Sequence, residues 1–243
     1  GSNLNVNESG SGIVAWCWDA GNTTVTNTNG TIESQVRSNG NFSVINYTGT
    51  GNAVSIGHGL STAPKLLITK NISRDINWLV YHFSAGTNKS GALNLNSEFS
   101  NTTLNGATAP TELIFNTGGG NYENSFSGDE YVTYAWAATP GASNFGEYLG
   151  TGSDLTINCG FKPAFVMVKS DTWSPSNWVM LDNQRPGPLY ANESNSEASL
   201  DLIDFQPNGF TIKGGSNDVN ATAQNYIYAA FAGTGSEGTV VST

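Results

Sequence analysis

The chain is short of charge, and above all of positive charge. Lysine and arginine number 9 of 243 residues against 19 acidic ones, charged side chains reach only 12%, and the net charge is −10. Duplex nucleic acid is held by clustered lysine and arginine, and cations scattered singly build no such surface. The same acidity would repel an anionic membrane surface. No apolar run approaches the roughly 20 residues of a helical membrane span. No signal peptide is legible at the start, where Gly1-Ser2 reads as a cloning remnant. Histidine and cysteine are scarce too, with two of each. Cys17 and Cys159 lie far apart without clustered spacing, which favours free thiols over a bridge, with Cys17 buried between Trp16 and Trp18. No Walker loop, HExxH helix, nucleophile elbow or CxxC pair occurs.

Glycine is abundant, with 29 residues, and aromatic side chains reach 11% and run along the whole length. A polar, weakly charged, aromatic-bearing chain of this kind suits short strands joined by many turns, since Gly and Asn supply the positive-φ positions that turns need. Asn-x-Ser/Thr sequons such as those at Asn22, Asn41, Asn46, Asn71 and Asn101 are expected by chance in so Asn- and Thr-rich a sequence.

The sequence also repeats itself. "FSVINYTGTGNAVSIGHGLSTAPKLLITK" from Phe42 lies over "NFGEYLGTGSDLTINCGFKPAFVMVKS" from Asn144. Tyr47 falls on Tyr148, Gly49 and Gly51 on Gly150 and Gly152, Gly59 on Gly160, Pro64 on Pro163, and Lys70 on Lys169. "NWLVYH" then meets "NWVMLD", with Trp78 over Trp178, and the copies close on "YVTYAW" and "YIYAAF". Short apolar runs such as "KLLITK" and "AFVMVK", bounded by turn residues, read as strands. The expected fold is all-β, two tandem β-sandwich (jelly-roll-like) repeats over residues 40–139 and 142–233. "IVAWCW", from Ile13, resembles the closing strands and puts Val14, Trp16 and Trp18 on one face. Residues 1–39 are accordingly expected to hold the closing strand of a preceding repeat plus a linker, residues 234–243 a tail, and the chain to be a piece of a longer repeat protein. Its best helix candidate, "NESNSEASLDLID", lacks an apolar stripe.

Candidate chemistry is sparse. His58 and His82 are the only imidazoles, and their matched positions carry Cys159 and Asp182, a pattern that suits hydrogen-bonded structural roles better than a metal site. The carboxylate pairs Asp129/Glu130, Glu193/Glu197 and Asp201/Asp204 are close in sequence but lie in polar loops or strand edges, without the burial an acid–base pair needs. No cofactor is expected, with Ca2+ the one candidate. "GGSNDVNAT" and "GGGNYENSFSGDE" are dense in oxygen ligands but lack ordered DxDxDG spacing, and Asx turns explain both. For ligand binding, the second copy's "SDTWSPSNW" and "NQRPGPLYANES" differ most from the first copy. Trp173 offers a flat stacking face, Tyr190 a second with a hydroxyl, and Arg185 a forked donor for acidic sugars or phosphate. Trp78 and Trp178 read as core.

"YTGTG…IGHGLSTAPKLLITKN…WLVYH", "YVTYAWAATPGASNFGEYLGTGS…GFKPAFVMVKS" and "NGFTIKG…YIYAAFA" together resemble a tandem domain of bacteriophage tail-fibre and virion structural proteins, most familiar from phages of marine bacteria including cyanophages. The likeness spans Val14 to Ala232. It implies a non-enzymatic segment of an extracellular virion that contributes to host-surface recognition and attachment, or alternatively a purely structural spacer or decoration module. The partners it implies are a host cell-surface glycan or protein, further copies of itself in a homotrimer, and other virion proteins. A glycan depolymerase is the weakest of the readings.

Overall fold

The computed structural model describes residues 12–101, 108–119 and 126–233. The first half contributes β1 (Thr24–Asn27), β2 (Ser34–Ser38), β3 (Phe42–Thr48), β4 (Val54–Gly57), β5 (Leu66–Asn71), β6 (Leu79–His82), β7 (Lys89–Ala92), β8 (Ser100–Asn101), β9 (Ile114–Thr117) and β10 (Glu130–Trp136). The second half contributes β11 (Ser143–Leu149), β12 (Leu155–Asn158), β13 (Pro163–Ser170), β14 (Val179–Asp182), β15 (Leu189–Tyr190), β16 (Ile203–Gln206), β17 (Gly209–Ile212) and β18 (Asn225–Ala232). Among the described residues, helical structure is confined to a 3-10 turn at Phe83–Ala85 and the four-residue α1 (Asn217–Asn220). The protein is all-β, as the turn-rich composition requires.

Pairing is antiparallel within every sheet. One large sheet runs β1-β2-β3-β10-β5-β6-β7-β8 and the other β11-β18-β13-β14-β15, with smaller sheets β4-β9 and β12-β17-β16. The segment β3-β10-β5-β6-β7 therefore has the same strand order as β11-β18-β13-β14-β15. Matched tyrosines stack alike in the two halves: Tyr47 on Tyr131 at 5.3 Å and Tyr148 on Tyr226 at 5.2 Å between ring centres.

Three apolar clusters explain the near-continuous apolar strands. Ile56 and Phe115 of the β4-β9 sheet bury against Ile45, Leu67, Tyr81 and Tyr131 of the first large sheet. Phe210 and Ile212 of β17 bury against Val166, Val168, Tyr226 and Tyr228 of the second. The third cluster joins the halves, bringing Leu66, Ile68, Val80 and Trp136 together with Phe165, Met167, Ile227 and Phe231. A central strand such as β13 is thus covered on both faces, so alternation gives way to an unbroken apolar run.

Residues 12–39 differ from expectation. Ile13–Trp18 forms no strand and pairs with no sheet. Its two indoles instead pack into the seam between the halves. The Trp18 ring lies 5.3 Å from Phe231, 5.6 Å from Trp136, 5.8 Å from Phe165 and 6.4 Å from Phe42. Trp16 lies 5.1 Å from Phe165 and donates its indole N–H to Asp182 Oδ2 at 3.1 Å. Aromatic burial in the seam, not ladder hydrogen bonding, fixes the segment. Cys17 points the other way and is exposed, contrary to the buried thiol expected, while Cys159 is buried; both are free. The stretch expected to be a linker builds β1 and β2, which extend the sheet through β3 because Val36 is buried in the first core.

Candidate functional site

The three residues expected to hold a ligand do not converge. Trp173 sits in the β13–β14 loop, 36% exposed, with its backbone N–H on Ser170 Oγ at 3.1 Å. Tyr190 pairs with Val179 at the same end of β14 and is half-buried against the second core. Burial, with the nearby Asp218 and Glu193 carboxylates, raises its phenol pKa. Arg185 follows the far end of β14. Its Nη2 and Nε donate to Asp182 Oδ2 at 2.7 and 2.9 Å, its Nη1 meets Glu197 Oε2 at 3.4 Å, and its guanidinium carbon lies 5.3 Å from the Trp16 ring centre. The forked donor is occupied by the protein's own carboxylates and braces the seam.

The histidines and several of the candidate carboxylates also bond within the protein. His58 Nδ1 accepts from the Leu60 N–H at 3.0 Å, and its Nε2 faces Thr111 O at 3.1 Å. His82 repeats this arrangement between the halves. Its Nδ1 accepts from the Ser84 N–H at 3.3 Å, and its Nε2 lies 3.0 Å from Tyr228 O. Both rings are neutral with the proton on Nε2, and burial lowers both pKa values, that of His82 to about 4. Asp129 is bonded by Arg74 and by Asn71 at 2.8 Å, which hold its carboxyl below the usual range. Glu197 bonds Arg185 and the Gly187 N–H, and Asp204 pairs with Lys213 at 2.5 Å. In "GGSNDVNAT" the Asn220 and Asp218 side chains make internal hydrogen bonds to Thr151, Ser153 and Asn177. "GGGNYENSFSGDE" lies partly outside the described residues. Among the described residues no cluster of three metal-ligating side chains forms.

What the structure does bring together is a pair of matched sites with opposite fates. Trp78 and Trp178 each directly precede a strand, and each is clamped by an asparagine. Asn94 Oδ1 accepts the Trp78 N–H at 3.0 Å and its Nδ2 donates to Asn77 at 2.9 Å. Asn192 does the same for Trp178 and Asn177, both at 2.8 Å. The lysines correspond too. Lys70 Nζ donates to Ile76 O and Lys169 Nζ to Ser176 O, both at 2.5 Å.

In the second half this site is covered. The end of β7 and the strap that follows it cross the site: Trp178 Nε1 donates to Ala92 O at 2.8 Å, Lys169 Nζ reaches Asn96 O at 3.5 Å, and the Phe99 ring packs 5.8 Å from the indole. Two backbone bonds fasten the strap, Ser176 N–H to Asn96 O at 2.9 Å and Phe99 N–H to Asp171 O at 3.3 Å. Trp178 and Lys169 are consequently buried, and desolvation pulls the lysine pKa down to about 8.

In the first half the site is an open groove of about 580 Å³, lined by Lys70, Trp78, Val132 and Tyr134 with Arg74 and Asp75 at the rim. Trp78 is half-buried there, not core as expected. Lys70 Nζ lies 5.9 Å from the Trp78 ring centre and takes its second acceptor, Arg74 O at 3.4 Å, from its own loop. Arg74 stacks 4.2 Å from the centre of Phe126. Among the described residues none accepts from the Trp78 indole N–H.

Over residues 1–234 the sequence matches the family described as a domain of unknown function, DUF7483. The chain belongs to the DUF7483 family. No curated protein and no solved structure matches it. The groove of this DUF7483 chain has a sequence signal that loop comparison passes over. Lys70/Lys169 and Trp78/Trp178 match, but Tyr134 faces Ala229 in the comparison, and the straps "NLNSEFS" and "NESNSEAS" differ by one inserted residue and by Phe99 against Ala198. Aligning the straps on Asn94 and Asn192 exposes the difference between a plugged site and an open one.

Proposed function

We propose that this DUF7483 chain is a non-enzymatic structural module of an extracellular phage virion fibre, of the kind its sequence resembles. One observation carries the reading, namely the shared aromatic seam. Equivalent faces of the two halves bury each other, and Trp16 and Trp18 of the preceding segment lock into the same layer. A unit built this way transmits load through packed rings, and His82, Asp182 and Arg185 serve that packing. Trimeric assembly about a fibre axis is part of the same proposal, since repeated weak contacts gain avidity in a multimer.

The test is antibody against this chain applied to purified virions of a phage encoding it, with electron microscopy as readout. Labelling along a fibre is the expected result, and intact particles that lack the protein would overturn it. Host attachment is the second reading, favoured by the exposed Trp173 face. Its measure is adsorption to host cells by Trp173→Ala and Tyr190→Ala, and full adsorption of the double variant would refute a site there.

A further inference from the structure

We infer that the open Lys70–Trp78 groove is a docking site for an extended peptide strap carrying an aromatic residue, supplied by another unit of this family. The inference goes beyond the virion reading and stands without it. The covered site of the second half displays what such a groove binds. Three groups recognise the strap there: an indole N–H takes a backbone carbonyl, a lysine ammonium takes a second carbonyl four residues on, and the indole face takes a phenylalanine ring. The first half presents the same three groups in the same frame, with Trp78 and Lys70 set by the same asparagine clamp and the same loop carbonyl. An ammonium has three donors, so two bonds to Ile76 O and Arg74 O leave Lys70 one for an incoming carbonyl. The groove is open to solvent, so a ring with its flanking backbone can lie across it.

The chain's own straps are not the occupant. The first is held on Trp178 in the same molecule. The second turns back on its own loop, where Ala198 N–H bonds Pro188 O at 3.2 Å and Glu197 accepts from Gly187 and Arg185. It also carries Ala198 in place of the ring. The occupant is therefore an aromatic-bearing strap of a neighbouring unit.

The experiment titrates the full chain with a synthetic peptide of residues 92–101, ALNLNSEFSN, following the indole N–H signals by NMR with assignment from single Trp→Phe variants. Saturable movement of the Trp78 signal is expected, with about tenfold weaker binding for the Phe99→Ala peptide. Val132→Arg in the chain should block the groove at unchanged melting temperature, and Trp173→Ala should leave binding intact. No Trp78 movement at millimolar peptide would overturn the inference. So would movement confined to Trp178, or movement indifferent to both Phe99→Ala and Val132→Arg. If an acidic oligosaccharide such as oligogalacturonate shifts Trp78 and the peptide does not, the groove is a glycan site and the inference is again overturned. None of these outcomes depends on whether antibody labels a virion.

Discussion

Acid should loosen the junction between the halves through His82. The ring is buried, its Nδ1 accepts from Ser84 N–H and its Nε2–H donates to Tyr228 O, so both nitrogens are satisfied only in the neutral form. A second proton would sit on Nδ1 and face the Ser84 N–H, donor against donor. The folded pKa is about 4 against an ordinary 6.5. The unfolded chain therefore binds a proton that the folded chain refuses, and stability present above pH 6.5 is lost as pH falls towards 4. Between pH 7.5 and 4.5 this linkage amounts to about 2.5 kcal/mol for the one ring. Urea unfolding followed by tryptophan fluorescence at the two pH values gives the parent's loss. His82→Gln is the comparison, because a carboxamide donates to Tyr228 O and accepts from Ser84 N–H without titrating. It should shrink the pH-dependent loss by about 2.5 kcal/mol, even if its packing against Phe145 is poorer at both pH values. His58 and Asp129 lose stability in acid in the same direction, but equally in both proteins. A variant with the parent's full loss would refute the role given to His82.

Trp18→Ala should lower stability by about 2–3 kcal/mol, less than the full cost of a buried aromatic truncation because the ring is half-buried, whereas Cys17→Ser beside it should leave the melting temperature unchanged. Lys169 has the opposite pH signature to an ordinary surface lysine. Its folded pKa near 8 lies below the unfolded value of 10.5, so stability should rise as pH climbs from 8 towards 10, and Lys169→Met should flatten that rise in denaturant titrations; a slope identical in both proteins counts against a buried ammonium. Arg185→Ala should destabilise by about 1–2 kcal/mol by leaving the partly buried Asp182 carboxylate with only the Trp16 indole and backbone donors, and calorimetry showing no change would mean the pair is a surface ornament.

The parts of the fold legible in sequence are those fixed by backbone constraint. Gly51 and Gly152 hold φ of +77° and +75°, and Gly59 and Gly160 +68° and +86°, so these matched glycines mark the same turns in both halves. Trp16 and Trp18 misled because alternation is a property of any extended segment. It puts two indoles on one side whether the backbone then finds a ladder or the rings find a seam. Tertiary burial was equally hidden: "KLLITK" announces two apolar faces without saying what covers the second. Arg185 had a visible signal three residues upstream, where Asp182 stands in "LDNQR", and an i,i+3 carboxylate competes with any ligand for the guanidinium. The groove stayed hidden for a different reason. Its lysine and tryptophan match between the halves, and the differences, Tyr134 against Ala229 and the two straps, lie far from either in sequence.

The same logic explains how two similar faces pack together. Identical side chains at matched positions would put like against like at both edges of the seam, and His82 and Asp182 are the matched pair that avoids this. His82 crosses to Tyr228 O as a neutral donor and joins the halves directly. Asp182, at the matching place on the second sheet, anchors two groups from elsewhere, the Trp16 indole N–H and the Arg185 fork. One position closes the interface and the other receives the segment that precedes it. Exchanging the two residues tests this division: His82→Asp with Asp182→His would bury a carboxylate against the Tyr228 carbonyl and leave Arg185 with the Glu197 carboxylate alone. Both faults act in the same seam, so the double variant should unfold at lower denaturant than either single variant, and partial rescue by the exchange would show the positions to be interchangeable.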